Sequence, residues 1–318
     1  MDFAEALAYL DDHASYDKTG RIESPTLDRM RRLVQVMGDP QLAYPVIHVT
    51  GTNGKGSTTQ MITRLLMAHG LTVGTYTSPH LERLNERIAR NAEPISDEEF
   101  AEQIAAIANL EAIAGVRPTY FEAVTAAAFR WFADVAVDVA VVEVGLLGRW
   151  DATNVCEAQV AVITNIGMDH NEFAGPTLDD IAREKAGIVK PGSAVVIGET
   201  DPELVQIFVE AGGATQFVRG EQFEVVENQL ALGGRFVGIR TPTTVYSEVF
   251  VPLHGRHQAD NASAALTAVE AFFAAPLADA TMREGFAEVL IPGRFEVMGR
   301  QPLVIVDGPG VDLLVFEN

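Results

Sequence analysis

The chain is short of cysteine, of basic residues and of long apolar runs, and each shortage removes a class of function. One residue of 318 is cysteine, Cys156. An intrachain disulfide and a thiolate zinc site are therefore excluded, and the usage fits a reducing, cytoplasmic compartment. Lys and Arg total 23 against 44 Asp and Glu, a formal net charge of −21. That surface opposes the broad phosphate-backbone footprint of a nucleic-acid binder. It equally opposes docking on an anionic membrane. It does not exclude a nucleotide, which needs only one local nest of N–H groups and a metal. The longest apolar stretch, Val135–Gly148, is interrupted by Asp138 and Glu143 and is too short to span a bilayer. The opening MDFAEALAYLDD has neither the basic n-region nor the apolar h-region of a signal peptide.

What is present is the balance of a soluble globular protein: 47% hydrophobic and 21% charged residues. The length allows two domains, or one large domain with insertions. Short apolar, β-branched runs read as buried strands at 46–50, 72–77, 137–145, 160–167 and 193–198. Helical patterns alternate with them: a stretch ending at Gly70, one opened by the Ser96/Glu99 capping box, Phe121–Phe132 and Thr177–Val189. Continuous apolar strands alternating with helices predict a parallel sheet covered on both faces. From about Gln222 to Val251 the pattern turns to short β runs; helix returns at Gln258–Ala275 and Thr281–Leu290, and 302–308 reads as one more strand.

The strongest chemical signal is Gly51-Thr-Asn-Gly-Lys55-Gly-Ser57, lying between a predicted strand and a predicted helix. Glycines there let backbone N–H groups turn inward on phosphates, Lys55 supplies a point charge, and the helix N-terminus adds its dipole. The spacing departs from G-x-x-x-x-G-K-[ST], because the hydroxyl residue follows Lys55 by two places. Glu143 closes an apolar strand. At the carboxyl end of a parallel strand it reads as a Mg²⁺ ligand or water-orienting acid, or else as a polar strand end. Asp169 and His170 follow another strand at the same crevice edge, although Mg²⁺ rarely takes imidazole. Asp151 and Asn154 either line a ligand pocket or make Asx turns. Lys185, beside Glu184, reads from residue type alone as a solvated charge.

At this point a family emerges. TGTNGKGS (50–57), YTSPHL (76–81), NERI (85–88), TYFE (119–122), the 143–154 segment ending in DATN, GMDH (167–170) and EKAGIVK (184–190) occur in one order with HGRHQADNASAAL (254–266) and PGRFE (292–296). Together they resemble folylpolyglutamate synthase/dihydrofolate synthase, of the Mur-ligase superfamily. The resemblance implies a three-layer P-loop α/β domain with a mostly parallel central sheet, over residues 1–297, carrying a small β excursion. It implies ligation of L-glutamate to dihydropteroate or folates with ATP and two Mg²⁺ ions, through an acyl phosphate. Gly54, Lys55, Gly56 and Ser57 would hold the ATP phosphates, with Asn261, Arg294 and Asp307 also contacting ATP. Ser78, Glu143 and His170 would bind the metals, and Lys185 would be carbamylated. Lys55, His170 and Lys185 are thus the expected catalytic groups. Thr119, Tyr120, Phe121 and Glu122, with Trp150, Asp151 and Ala152, would bind the pterin-bearing substrate.

The chain departs from the pattern twice. Leu147 stands where the family has the first of two glycines before Arg149, which is costly if that backbone needs a positive φ. The family also continues into a second, Rossmann-like α/β domain with the glutamate site. Here VIVDG (304–308) begins it, but PGVDLLVFEN follows. Residues 298–318 are therefore expected to be a linker and stub, with 309–318 poorly packed. A separate chain would then supply the missing domain, or the chain would be a non-catalytic ATP- and pterin-binding remnant. A ligase acting on a UDP-linked acid is the third reading; TYFE, TSPHL and DATN argue against it.

Overall fold

The computed structural model describes residues 1–15, 26–168 and 174–291, together with the backbones of the strands at 296–300, 303–307 and 312–316. Its centre is an eight-stranded sheet in the order β4-β3-β2-β5-β1-β6-β7-β8. Six of its strands are β1 (Val46–Thr50), β2 (Val73–Tyr76), β5 (Val139–Glu143), β6 (Ala158–Ile163), β7 (Ala194–Ile197) and, at one edge, β8 (Thr215–Val218). All six run parallel where they pair. Antiparallel β3 (Ile88–Arg90) and β4 (Glu93–Pro94) extend one edge.

Period-2 alternation sends neighbouring side chains of each strand to opposite layers. Ile47, Val49, Val139 and Val141 pack under the Lys55–Ala68 and His257–Phe273 helices. Val46, Ala140 and Val142 face the Asp97–Ala114 and Tyr120–Asp134 helices. Both faces are therefore apolar, which is why the strands read as continuous hydrophobic runs. Capping boxes start the helices at Ser96 and Thr119, each with the reciprocal Glu three residues on.

The β excursion is a three-stranded antiparallel sheet of β9 (Glu224–Ala231), β10 (Gly234–Arg240) and β11 (Val245–Val251). Buried Glu270 pins it to the His257–Phe273 helix, accepting from Tyr246 Oη at 2.6 Å and Thr243 Oγ1 at 2.7 Å. The strand expected at 302–308 is present as β13 (Leu303–Asp307), between β12 (Glu296–Arg300) and β14 (Asp312–Phe316), with both pairings antiparallel. Residues 312–316 thus form an edge strand. How the side chains of 309–318 pack lies outside what is described. Among the described residues no helix is long and apolar enough to cross a membrane.

Candidate active site

β1, β5 and β6 lie side by side, and the segments leaving their carboxyl ends meet at one crevice, the place where open parallel sheets bind ligands. The Gly51–Gly54 turn leaves β1 and enters the helix that begins at Lys55. Gly54 has φ +81°, and a Cβ on it would lie 2.4 Å from Asn261 Oδ1. Asn261, distant from the turn in sequence yet adjacent in space, therefore packs directly on it. Its Nδ2 donates to Gln258 Oε1 at 3.0 Å, and Gln258 reaches Ser57 Oγ at 3.5 Å. Lys55 Nζ donates to the Gly51 and Thr52 carbonyls at 3.0 and 3.1 Å, so the ammonium lies folded over the turn.

The sequence reading missed the clamp on this turn. Residues 164–167, expected as strand, have left β6 and grip the turn from the side. Thr52 N–H donates to the Asn165 carbonyl at 2.9 Å and Asn53 N–H to Asn165 Oδ1 at 3.0 Å. Thr164 Oγ1 donates to the Asn53 carbonyl at 2.6 Å, and Gly167 N–H to Thr52 Oγ1 at 2.9 Å. The only local hint was the polar pair Thr164-Asn165 closing an apolar run.

Glu143 ends β5 with 4% exposure. Its Oε2 accepts the Ser78 N–H at 3.2 Å, and it lies 3.6 Å from where a Cβ on Gly56 would stand. Glu143, Ser78 and the first turn of the Lys55–Ala68 helix are thus gathered at one point. Ser78 itself is held by its turn, whose Ser78–Pro79 peptide is cis. Glu86 accepts N–H bonds from Leu81, Glu82 and Arg83. Burial pushes its carboxyl up, but these three bonds outweigh it and hold the group below its ordinary range. Buried Arg87 donates to His80 Nδ1 at 2.9 Å and lies over the Tyr120 ring, linking the TSPHL, NERI and TYFE segments.

The expected substrate segments also meet. Gly145 packs on Phe121, a Cβ there falling 2.5 Å from the ring. Thr119 and Glu122 cap their helix reciprocally, and Glu122 pairs with Arg29 at 3.0 Å, so both side chains are occupied structurally. Trp150 is 42% exposed, whereas Asp151 and Ala152 are buried. Asp151 Oδ1 accepts from Thr153 N and Oγ1, and Oδ2 from Leu146 N. Burial raises its carboxyl pKa despite those bonds and the nearby Lys185 charge. The Asx turn is therefore realised at Asp151.

Lys185 is 3% exposed, which corrects the solvated-charge reading. Gly148 and Gly187 explain how. A Cβ on Gly148 would lie 2.4 Å from the Glu184 carbonyl, and one on Gly187 2.5 Å from Arg149 Cα. These close approaches press the 145–155 segment onto the helix end, where Glu184 takes the Arg149 and Trp150 N–H groups. Lys185 Nζ donates to the Leu146 carbonyl at 3.4 Å. His170 and Arg294 lie outside the described residues, as does the side chain of Asp307, which ends β13. Among the described residues no three His, Cys, Asp or Glu side chains gather as a metal site.

Comparison with known proteins agrees with this layout. Residues 49–269 match the Mur ligase middle domain. The chain is 42% identical over 307 residues to dihydrofolate synthase/folylpolyglutamate synthase of Mycobacterium tuberculosis, a match covering 89% of this chain and 63% of that protein. With the Bacillus subtilis protein of the same name it is 39% identical over 295 residues, covering 89% of this chain and 69% of the other. The chain thus spans about two thirds of the length of these relatives. The structure superposes on Mycobacterium tuberculosis folylpolyglutamate synthase complexed with ADP and AMPPCP with a TM-score of 0.89 at 40% identity, covering 96% of this chain and 70% of that one. The mostly parallel sheet, the excursion and the ordered segments are those of one lineage, and the chain belongs to the folylpolyglutamate/dihydrofolate synthase family.

Proposed function

We propose that the chain binds ATP at the Gly51–Ser57 turn and activates the carboxylate of dihydropteroate or a folate for amide formation with L-glutamate. The observation that carries the reading is the convergence of Gly54, Gly56, Ser57, Ser78, Glu143 and Asn261 at one end of the parallel sheet. A solved relative carries ADP and AMPPCP. In this reading residues 1–297 are the nucleotide-binding unit and 298–318 a distinct segment.

The donors fit magnesium. The Ser78 hydroxyl and the Glu143 carboxylate are hard oxygen ligands beside the turn, the set this cation prefers. Mg²⁺ held there would neutralise charge between ATP and the incoming carboxylate; His170 is the further ligand that the family resemblance implies. Lys55, released from the Gly51 and Thr52 carbonyls, would meet the phosphates with its ammonium, and the turn N–H groups would cradle them. Asn261 would seat the nucleotide against Gly54, with Arg294 and Asp307 as further contacts. Thr119–Glu122 and Trp150–Ala152 would hold the pterin-bearing acid.

The chemistry follows from a poor leaving group. A carboxylate does not react with an amine at neutral pH. Its oxygen attacks the γ-phosphorus, the bond to the ADP oxygen breaks, and an acyl phosphate forms. The glutamate amine then attacks the acyl carbon, phosphate leaves, and the amine loses a proton. The buried Lys185 amine is the group for carbamylation, which converts a cation into a carboxylate near the metals and shows as an added carboxyl mass in bicarbonate buffer.

The test is product formation by this chain with ATP, Mg²⁺ and dihydropteroate, with and without L-glutamate. Dihydrofolate appearing only with glutamate is expected. Nucleotide binding without any dihydrofolate or phosphate would overturn the ligase reading for this chain.

A further inference from the structure

Across the middle of the domain runs a chain of four polar side chains that the nucleotide chemistry does not use. We propose that His48, acting through the Thr153 hydroxyl, is a positioning residue that fixes the Asp151 carboxylate in the pterin-binding segment. The inference rests on the reading that residues 150–152 receive the pterin.

His48 is the central residue of β1, two places before the strand ends, and it is fully buried. An imidazole in the strand VIHVT is expensive unless both ring nitrogens find partners. Both do. Nε2 lies 2.9 Å from Thr153 Oγ1, and Nδ1 lies 3.7 Å from Cys156 Sγ.

The direction of these bonds is fixed from the far end. Asp151 Oδ1 takes the Thr153 backbone N–H at 3.0 Å and the Thr153 hydroxyl proton at 2.5 Å. A hydroxyl has one proton to give, so Thr153 Oγ1 accepts from the ring. The ring proton therefore sits on Nε2, and Nδ1 is left as the acceptor for the Cys156 thiol. The network, rather than any observed hydrogen, assigns this tautomer. The run Cys156 Sγ–H, His48 Nε2–H, Thr153 Oγ1–H, Asp151 Oδ1 has one direction and no unused proton. Burial supports it by lowering the His48 pKa to about 3 and raising that of Cys156 to about 12, so both remain neutral across the physiological range.

The far oxygen of Asp151 passes the constraint on. Oδ2 accepts Leu146 N–H at 3.2 Å, and the Leu146 carbonyl receives Lys185 Nζ at 3.4 Å. Thr153 thus links a rigid central strand to the turn that carries Trp150, Asp151 and Lys185's partner. Without its hydroxyl, Asp151 Oδ1 keeps only the backbone N–H, and His48 Nε2–H points at nothing. Pre-organisation of this kind matters where a carboxylate must meet ligand N–H groups within a few tenths of an ångström.

The experiment has two arms. The first is ¹⁵N NMR of the histidine rings in the ligand-free chain, with His48 assigned through His48→Gln. Nε2 protonated and Nδ1 bare, unchanged from pH 5 to pH 8, is expected; an Nδ1–H tautomer or an imidazolium overturns the proposal whatever the ligand does. The second is dihydropteroate binding by calorimetry. The unaltered chain should bind; if it does not, the pterin reading fails, while the NMR arm still judges the relay. Thr153→Val should weaken dihydropteroate about 10-fold, the order expected for one lost buried hydrogen bond, with ATP affinity within 2-fold. Thr153→Ser, which keeps the hydroxyl, should restore binding to within about 3-fold, as one retained hydrogen bond would. Wild-type affinity in Thr153→Val, equal weakening in both variants, or a parallel loss of ATP binding would each overturn it.

Discussion

Gly54→Ala probes the nucleotide turn and has a control built into the same helix. Gly54 sits just before the helix at φ +81°, and Gly70 just after it at φ +82°. Placing Ala in the left-handed region costs about 1–2 kcal/mol at either position. At Gly70 the new methyl meets nothing within 4 Å. At Gly54 it falls 2.4 Å from Asn261 Oδ1, so the Asn261 side chain must leave. That side chain is buried and tethered to buried Gln258, and breaking the tether costs about 1 kcal/mol more, or up to about 3 if an amide is left unpaired. Gly54→Ala should therefore lose about 2–5 kcal/mol against about 1–2 for Gly70→Ala. With an unfolding entropy of about 2.1 cal/mol/K per residue, that is a fall in Tm of about 3–7 °C against about 2–3 °C. Scanning calorimetry reads the stability, and titration with a non-hydrolysable ATP analogue reads the site. Gly54→Ala should lose nucleotide affinity by at least 10-fold and Gly70→Ala should keep it, since only the former displaces Asn261 (1.4 kcal/mol being a factor of ten). Equal Tm shifts, or analogue binding retained in Gly54→Ala, would refute the account.

Three further outcomes follow from the geometry. Glu143→Ala should abolish the Mg²⁺-dependent part of nucleotide affinity while leaving metal-free binding nearly unchanged, a difference visible by calorimetry with and without the cation. Glu86→Gln should cost about 1 kcal/mol at pH 7, a value kept low because the group is partly exposed. Its depressed pKa makes that stabilisation present above the unfolded value of about 4.3 and lost as pH falls through the folded one, so urea midpoints should converge in acid; an equal cost at pH 7 and pH 3 would contradict it. Tyr246→Phe removes the hydroxyl that donates to buried Glu270 and accepts Leu277 N–H at 2.8 Å. A loss of about 2–3 kcal/mol is expected, with nucleotide binding unaffected, since Glu270 lies nine residues beyond Asn261 along the His257–Phe273 helix; a loss of binding would show that the excursion is coupled to the site.

What was legible in the sequence is what local chemistry decides. The strand, turn and helix around Gly51–Ser57 announce themselves because glycines, a lysine and a hydroxyl follow a β-branched run within twelve residues. The Ser96 cap is equally local. What was hidden depends on adjacency across the sheet. Asn165 and Gly167 become turn clamps only because β6 pairs with β1. His48, a polar residue in the apolar run VIHVT, finds its partners only where Thr153 and Cys156 come round to its two nitrogens. Lys185 looked solvated because nothing in its neighbours shows that distant Gly148, meeting the helix end beside Gly187, brings a loop down over it. The Pro202–Ala211 helix went unread although Asp201 caps it and Pro202 opens it, a signature that was there to be used. His170 and Arg294 lie outside the described residues.

Leu147 shows how residue type and backbone requirement separate. Where two glycines were expected before Arg149, the first is Leu147. A glycine is needed either for a left-handed φ or for close approach, and the two needs have different tests. Leu147 keeps a φ outside the left-handed region and buries its side chain. The backbone at that position therefore never needed glycine's freedom, and burial of the leucine stabilises the turn by about 1.5–3 kcal/mol. Gly148 meets the other need, since a Cβ there would stand 2.6 Å from Lys185 Cα. The segment thus tolerates a bulky residue facing the core and forbids any side chain facing the helix end. The same contact that excludes a Cβ at Gly148 helps bury Lys185 beside Leu146 and Asp151, so the shape of the 145–155 turn and the environment of that amine share one determinant.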